Sequence, residues 1–323
     1  MTNRDIIALA IGDPNGIGPE IAVKAAVHYH GSTCRPVLVG SEHVIRHYAA
    51  RHAPELALHS FDDTADHAPG LVYHHVDSFD AADFAPGVVS PAAGRATVAY
   101  VAAAVRLADE SRVKAIVGCP HSETAINGAG IAFSGYPGLI AQLTATPVDR
   151  VFLMLMASGL RIAHVTLHES VATALARIDT ALVVEAGRAA VEALRRLGLP
   201  KPTLGVFGIN PHAGEDGLFG DEDERITRPA VAQLRALGIA ADGPFGADLL
   251  LGQRKHDAYL AMFHDQGHIP IKLLSPLRAS ALSIGAGVLF SSVGHGSAFD
   301  IAGKGVADPV AVIETLSLLH RTF

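Results

Sequence analysis

Three segments of this sequence close an apolar run with histidine: HVTLH (His164, His168), INPHAGEDG (Asn210, His212) and AMFHDQGH (His264, His268). Each run reads as a strand, so each histidine stands where a strand leaves its sheet, the edge at which open α/β sheets bind ligands. One such histidine is ordinarily a hydrogen-bonded loop residue. Three of them, with no cysteine among them, describe a catalytic ion held by neutral imidazoles with one coordination position open, because structural zinc sites recruit thiolates. Imidazole also favours zinc or its transition-metal neighbours over magnesium. Asp265, adjacent to His264, is placed either to orient a ligand ring or to cap the turn. HDQGH has the spacing of the helical HExxH of metalloproteases, but Gly267 and Pro270 oppose a continuous helix, and the protease reading is set aside.

Two glycine-rich segments add binding chemistry. GDPNGIGPE (Gly12 to Glu20) lacks the GxGxxG of a dinucleotide fold and reads first as a tight strand-to-helix turn, second as a cradle of free N–H groups for an anion. VGHGSAFDIAGKGVADP, near the C-terminus, is either a surface loop or a backbone-lined cradle for the adenosine half of a dinucleotide, since glycine permits close approach.

The elements that position these residues follow from periodicity. IIALAI, PVLVG and KAIVGC alternate with helical patterns beginning near Pro19, Ser41 and Tyr136, and further strands are expected at 151–156, 161–165, 203–207, 258–263 and 288–293. That alternation predicts an α/β fold with a largely parallel sheet. A helix over 93–111 carries Val98, Val101, Ala102, Val105 and Leu107 at near-helical spacing, so it is expected to cover a sheet face, and Asp308-Pro309 opens the last helix. The Asp-, Ala- and Pro-rich stretch 53–91 is expected to be a surface excursion.

Composition sets the bounds. The 323 residues are 49% hydrophobic and 18% charged, enough to bury a large core, and a net charge of −7 with scattered Lys and Arg excludes a nucleic-acid stripe. No apolar run reaches the ~18 residues of a membrane span. Cys34 and Cys119 are far apart and outside any CxxC spacing, the usage of a reducing cytoplasm.

GDPNGIGPE, INPHAGE, AMFHDQG and GHGSAFDIAGKG, in this order over nearly the whole chain, resemble the 4-hydroxythreonine-4-phosphate dehydrogenases. The resemblance implies an isopropylmalate dehydrogenase-like fold of two α/β/α lobes flanking a cleft, here residues 1–127 with 280–323 on the cofactor side and 128–279 on the metal and dimer side. It implies metal ligands at His168, His212 and His264, a homodimer whose subunits share each metal site, and a substrate-binding or proton-transferring lysine at Lys272. The C-terminal segment is also similar to the cofactor loop of isopropylmalate dehydrogenases, which implies NAD at Gly294, His295 and Gly296.

Departures from that pattern narrow the substrate. Gly135-Tyr136-Pro137-Gly138 replaces a Gly-His-Thr-Glu segment, Ala281 and Phe290 stand where the family has asparagine and arginine, and Glu123 replaces a lysine. Losing the bidentate phosphate grip of arginine while gaining Tyr136 and Phe290 suits a ring better than a phosphorylated chain. CPH-ETAI, AGIAFSGYP, VTLHESV, QRKHD, HDQGHIPIKLL and SSVGHGSA are shared with one branch, the terephthalate cis-dihydrodiol dehydrogenases. That resemblance implies NAD-linked oxidation of a dihydrodiol dicarboxylate with loss of CO2 to give protocatechuate, assisted by Zn2+ or another divalent transition metal, with Lys272 and Asp265 as catalytic groups and Tyr136 and Phe290 at the substrate. The competing expectations are a phosphorylated hydroxy acid as substrate and, more remotely, a metal-dependent hydrolase that turns over without nicotinamide.

Overall fold

A computed structural model of the chain describes residues 5–61, 69–275, 279–293 and 296–320. Its strands are β1 (Asp5–Ala10), β2 (Cys34–Gly40), β3 (Leu58–Ser60), β4 (Leu71–His75), β5 (Ala115–Gly118), β6 (Phe152–Ala157), β7 (Leu160–His164), β8 (Thr203–Phe207), β9 (Ala240–Phe245), β10 (Ala258–Ala261), β11 (Ser280–Ile284) and β12 (Phe290–Ser292). The chain divides into two compact units, one of residues up to 139 together with those from 288, the other of 140–287. The sequence reading set these crossings at 127/128 and 279/280. The helix Tyr136–Leu143 carries the first crossing, and β11 lies wholly within the second unit.

In the first unit the strand order is β3-β4-β2-β1-β5-β12, every pairing parallel. Parallel strands are covered on both faces, which is why β1 reads as an unbroken apolar run and Ile7 to Ile11 have no exposure. Helices Gly18–His28, Pro91–Asp109 and Val310–His320 pack on this sheet. Ser90 caps the second of these by accepting from the Ala93 N–H, with Pro91 opening the helix. Strand order reverses at β1, with β2 on one side and β5 on the other, the arrangement at which α/β sheets open a crevice. There the loops after β1 and β5 meet: the Asp13 N–H donates to the Pro120 carbonyl at 2.9 Å. Gly12 has φ +74, and a Cβ on it would collide with that carbonyl, so this turn requires glycine.

The second unit runs β11-β6-β7-β10-β8-β9. β11, β6 and β7 are antiparallel, whereas β7, β10, β8 and β9 are parallel. Leu155, Ile162, Phe207, Tyr259 and Ile271 form its core beneath the sheet edge that carries the histidines.

The α/β class is as the sequence predicts, and so are most elements. The sequence reading misses β3 and β4, inside the expected excursion, and also β9 and β11. β3 has only three residues, and β9 carries Gly243-Pro244 at the rim of its sheet, where a missing N–H costs no ladder bond. Among the described residues, no helix is long and apolar enough to cross a membrane.

Candidate metal and substrate site

β7, β10 and β8 are neighbours in that order, so their carboxyl ends bring three histidine segments to one edge. His168 follows β7, His264 opens the helix after β10, and His212 lies in the loop after β8. The His168 and His264 rings are 5.4 Å apart, centroid to centroid. Imidazoles about 2.1 Å from a tetrahedral ion place their centroids about 5 Å apart, so this pair is spaced for one metal. With Thr166, Glu169, Phe263 and Asp265 they line a cavity of about 550 Å³. His264 Nδ1 pairs with Asp265 Oδ1 at 2.7 Å, which leaves Nε2 as the nitrogen that could coordinate an ion. His212 stands apart: it is exposed, and its ring neighbour is Phe219 at 6.1 Å. Among the described residues, no three His, Cys, Asp or Glu side chains of one chain are placed to hold a metal.

The expectation that Gly267 and Pro270 break the HDQGH segment is overturned. The helix His264–Leu274 runs through both. Gly267 is there for packing, because a Cβ on it would collide with His164 Nε2. His264 and His268 share one face of this helix with their rings stacked at 3.6 Å and 13°. Parallel rings cannot both aim a nitrogen at one ion, so geometry rejects the protease arrangement where helix propensity does not. Lys272 is exposed on the same face, one turn beyond His268.

Beneath this face His164 is fully buried. Its Nδ1 lies 3.1 Å from the Leu153 carbonyl, and its Nε2 lies 3.1 Å from His268 Nδ1. A carbonyl only accepts, so His164 carries its proton on Nδ1, and its bare Nε2 accepts from His268. Burial, ahead of the neighbouring imidazoles, pushes His164 down to about 3 and His268 to about 4. Burial also lowers His43, His52 and His121, while it raises the Asp13 carboxyl to about 6. The unfolded histidines bind protons from about 6.5 downward and the folded ones only at lower pH, so stability is lost as pH falls from about 6.5 towards 4. Asp13 opposes this, since its neutral form is favoured when folded, but one carboxyl faces five imidazoles. We expect the thermal midpoint of metal-free protein to fall across that window in a scanning calorimeter; a rising midpoint would contradict the burial argument.

The INPHAGEDG loop holds its histidine in a strained backbone. His212 (φ +53), Ala213 (+54), Glu215 (+42) and Asp216 (+53) are all left-handed, a run that persists only where surroundings enforce it. The fully buried Asp223 does so: its two carboxylate oxygens accept from the N–H groups of Ile209 (2.8 Å) and Asn210 (2.9 Å) and from the Thr227 hydroxyl (2.6 Å). Gln266 ties this loop to the His264 helix, accepting from the Met262 and Phe263 N–H groups and donating to the Gly208 carbonyl. Sequence reasoning missed both residues; the Gln three positions after Phe263 is the capping signal that announces the second.

The remaining expected residues lie in the first unit. Tyr136 and Phe290 do meet, at 4.6 Å, over Gly118, whose missing Cβ makes the room. Both are buried, Phe290 with 1% exposure, and the Tyr136 hydroxyl donates to the Cys119 carbonyl at 3.2 Å. The half-buried edge of this aromatic layer is His121, set edge-on to Phe133 (5.0 Å) and Tyr136 (4.5 Å). No role was assigned to His121 from sequence, although CPH-ETAI marks it. Tyr136→Phe leaves a buried carbonyl unpaired and should lower the unfolding free energy by about 1–3 kcal/mol in a denaturant titration; no change would mean that the hydroxyl bond is not formed.

The GDPNG turn is occupied by protein. The Ile17 N–H at the helix start donates to the Ser297 carbonyl, and the buried Asp13 carboxyl stands beside it, which favours the tight-turn reading over an anion cradle. Of the cofactor residues, Gly294 and His295 lie outside the described residues, and Gly296 is exposed. The loop that follows is strapped to the first helix by Glu20. This fully buried carboxylate accepts from Lys24 Nζ (2.7 Å) and from the N–H groups of Gly305 (3.2 Å) and Ala307 (2.9 Å). Arg51 holds its outer side through the Gly303 and Lys304 carbonyls.

Comparison with known proteins identifies the family. The family model described as pyridoxal phosphate biosynthetic protein PdxA matches residues 32–319. A 1,2-dihydroxy-3,5-cyclohexadiene-1,4-dicarboxylate dehydrogenase of Comamonas sp is 53% identical over 97% of this chain and 96% of its own. A 4-hydroxythreonine-4-phosphate dehydrogenase of Desulforapulum autotrophicum is 36% identical over 98% and 95%. The crystal structure of a terephthalate 1,2-cis-dihydrodiol dehydrogenase from Burkholderia xenovorans LB400 superposes with a TM-score of 0.85 at 50% identity, covering 99% of this chain and 98% of that one. The chain therefore belongs to the PdxA family of dehydrogenases, and it resembles the dihydrodiol dicarboxylate branch of that family more closely than this phosphate-substrate relative.

Proposed function

We propose that this chain is an NAD-dependent, decarboxylating dehydrogenase of a cis-dihydrodiol dicarboxylate, yielding protocatechuate and CO2. The observation that carries the substrate choice is the sealed Tyr136–Phe290 layer, an uncharged aromatic pair where the family resemblance places a phosphate-gripping arginine. The identity to the Comamonas dicarboxylate enzyme supports the same choice.

The donor set fits a divalent transition metal. His168 and His264 are at chelating separation, and the partner subunit's His212 supplies the third imidazole in a homodimer. Exposed apolar side chains beside these segments, Val171, Leu218, Phe219, Ile269 and Leu273, support such an interface; Leu273 is 78% exposed. A divalent ion held by these imidazoles would supply Lewis acidity. Asp265 orients the His264 ring, and Lys272 offers a cation to the substrate carboxylate or a proton to the product oxygen.

The bond changes balance. The carbinol carbon loses its hydrogen as hydride to NAD and its hydroxyl proton to the medium, giving a ketone β to the carboxylate. The C–CO2 bond then breaks, its electron pair moves to the ketone oxygen, and one proton returns there as the ring becomes aromatic. One substrate dianion and one NAD+ thus give protocatechuate monoanion, CO2 and NADH. A side-by-side assay tests this: equal yields of CO2 and reduced nicotinamide are expected from the dihydrodiol dicarboxylate, with little turnover of 4-phosphohydroxythreonine. The reverse preference would sink the proposal, and product formed without nicotinamide would point to a hydrolase.

A further inference from the structure

Two histidines remain that the proposed chemistry does not use. His164 and His268 form a chain from the Leu153 carbonyl through two rings to the face of His264: Leu153 O to His164 Nδ1 is 3.1 Å, His164 Nε2 to His268 Nδ1 is 3.1 Å, and the His268 ring lies flat on the His264 ring at 3.6 Å. His164 has 0% exposure, and the sheet holds its backbone, with His164 paired to Ala261 of β10 and to Leu153 of β6. The ring reaches the helix only because position 267 has no Cβ to strike Nε2.

Asp265 fixes one edge of His264 by a single hydrogen bond and leaves rotation about that contact open. Asp265 is itself 78% exposed in its side chain, so that bond competes with water. A ring stacked on His264 and anchored in the sheet removes the remaining freedom. We infer that His268 is a positioning residue that sets the plane of the His264 ring by stacking, and that His164, seated against Gly267, is its anchor. The inference rests on His264 being a metal ligand. Its prediction is a loss of metal affinity of about 10–100-fold when the support is removed, the usual effect of losing a group that orients a ligand.

The test uses the full-length protein and Co2+, read by chelator competition and by the visible absorption bands of the bound ion. Circular dichroism and thermal melting establish that each variant is folded. His264→Ala is the control for the underlying reading: if it binds Co2+ as the unaltered protein does, the metal assignment fails and the inference with it. If His264→Ala loses Co2+, His268→Ala is expected to bind about 10–100-fold more weakly with altered bands. His268→Phe, which keeps a flat ring but not the anchor, is expected to bind more tightly than His268→Ala. Gly267→Ala, which displaces His164 without touching His268, is expected to weaken binding as well. Co2+ affinity and bands of His268→Ala equal to those of the unaltered protein would overturn the inference, as would a phenylalanine variant no better than the alanine one.

Discussion

Replacing His212 with alanine is expected to remove bound divalent metal and turnover together, with kcat falling by at least ~10³, since losing one preorganised charge-stabilising group already costs about 10²–10³. His212 sits at φ +53, where alanine is disfavoured, so the backbone itself is a rival cause of the loss. His212→Asn separates the two, because asparagine tolerates a left-handed backbone and its amide is a poor transition-metal ligand. Both variants should lose metal, measured by elemental analysis after gel filtration, and the asparagine variant should keep its melting temperature. An active, metal-replete His212→Asn protein would remove His212 from the ligand set.

The second large effect belongs to a residue that touches no substrate. Asp223→Ala leaves the N–H groups of Ile209 and Asn210 without the carboxylate that gathers them, together with the Thr227 hydroxyl. Leaving buried donors unpaired costs about 1–3 kcal/mol for each group. The left-handed run from His212 to Asp216 then has less to hold it, so metal affinity should fall along with stability. Chemical denaturation and Co2+ competition measure the two. Losses under about 1 kcal/mol with unchanged affinity would show that the loop holds its shape without Asp223.

How far the sequence alone leads differs between fold and site. β1, β2 and β8 are legible because buried parallel strands are continuous apolar runs, and the helix expected over 93–111 from its apolar spacing is found at Pro91–Asp109. β3 and β4 are hidden because a stretch rich in Asp and Pro reads as loop, and β4 earns its place by pairing with β2. At the metal edge, strand ends in sequence foretell which histidines share an edge. They do not foretell that His168 and His264 meet while His212 of the same chain stays apart, which depends on loop conformations held by distant groups such as Asp223. HDQGH shows the limit of propensity: a glycine and a proline argue against helix, yet the Gln266 cap and the fit of His164 over Gly267 outweigh them. The aromatic layer is half legible. Tyr136 and Phe290 were expected at the substrate and are found together, but buried, with His121 at their open edge.

If three imidazoles from two subunits hold one ion, subunits that carry different defects should complement each other. His212→Ala and His264→Ala homodimers are each expected to be inactive. When the two are co-expressed, activity should return to about a quarter of the unaltered level, because random pairing makes about half the dimers mixed and leaves one intact site in each. A mixture of His168→Ala with His264→Ala, whose rings meet within one chain, should stay inactive. No recovery in the first mixture would place His212 and His264 in the same subunit's site, or in no common site, and would contradict the account.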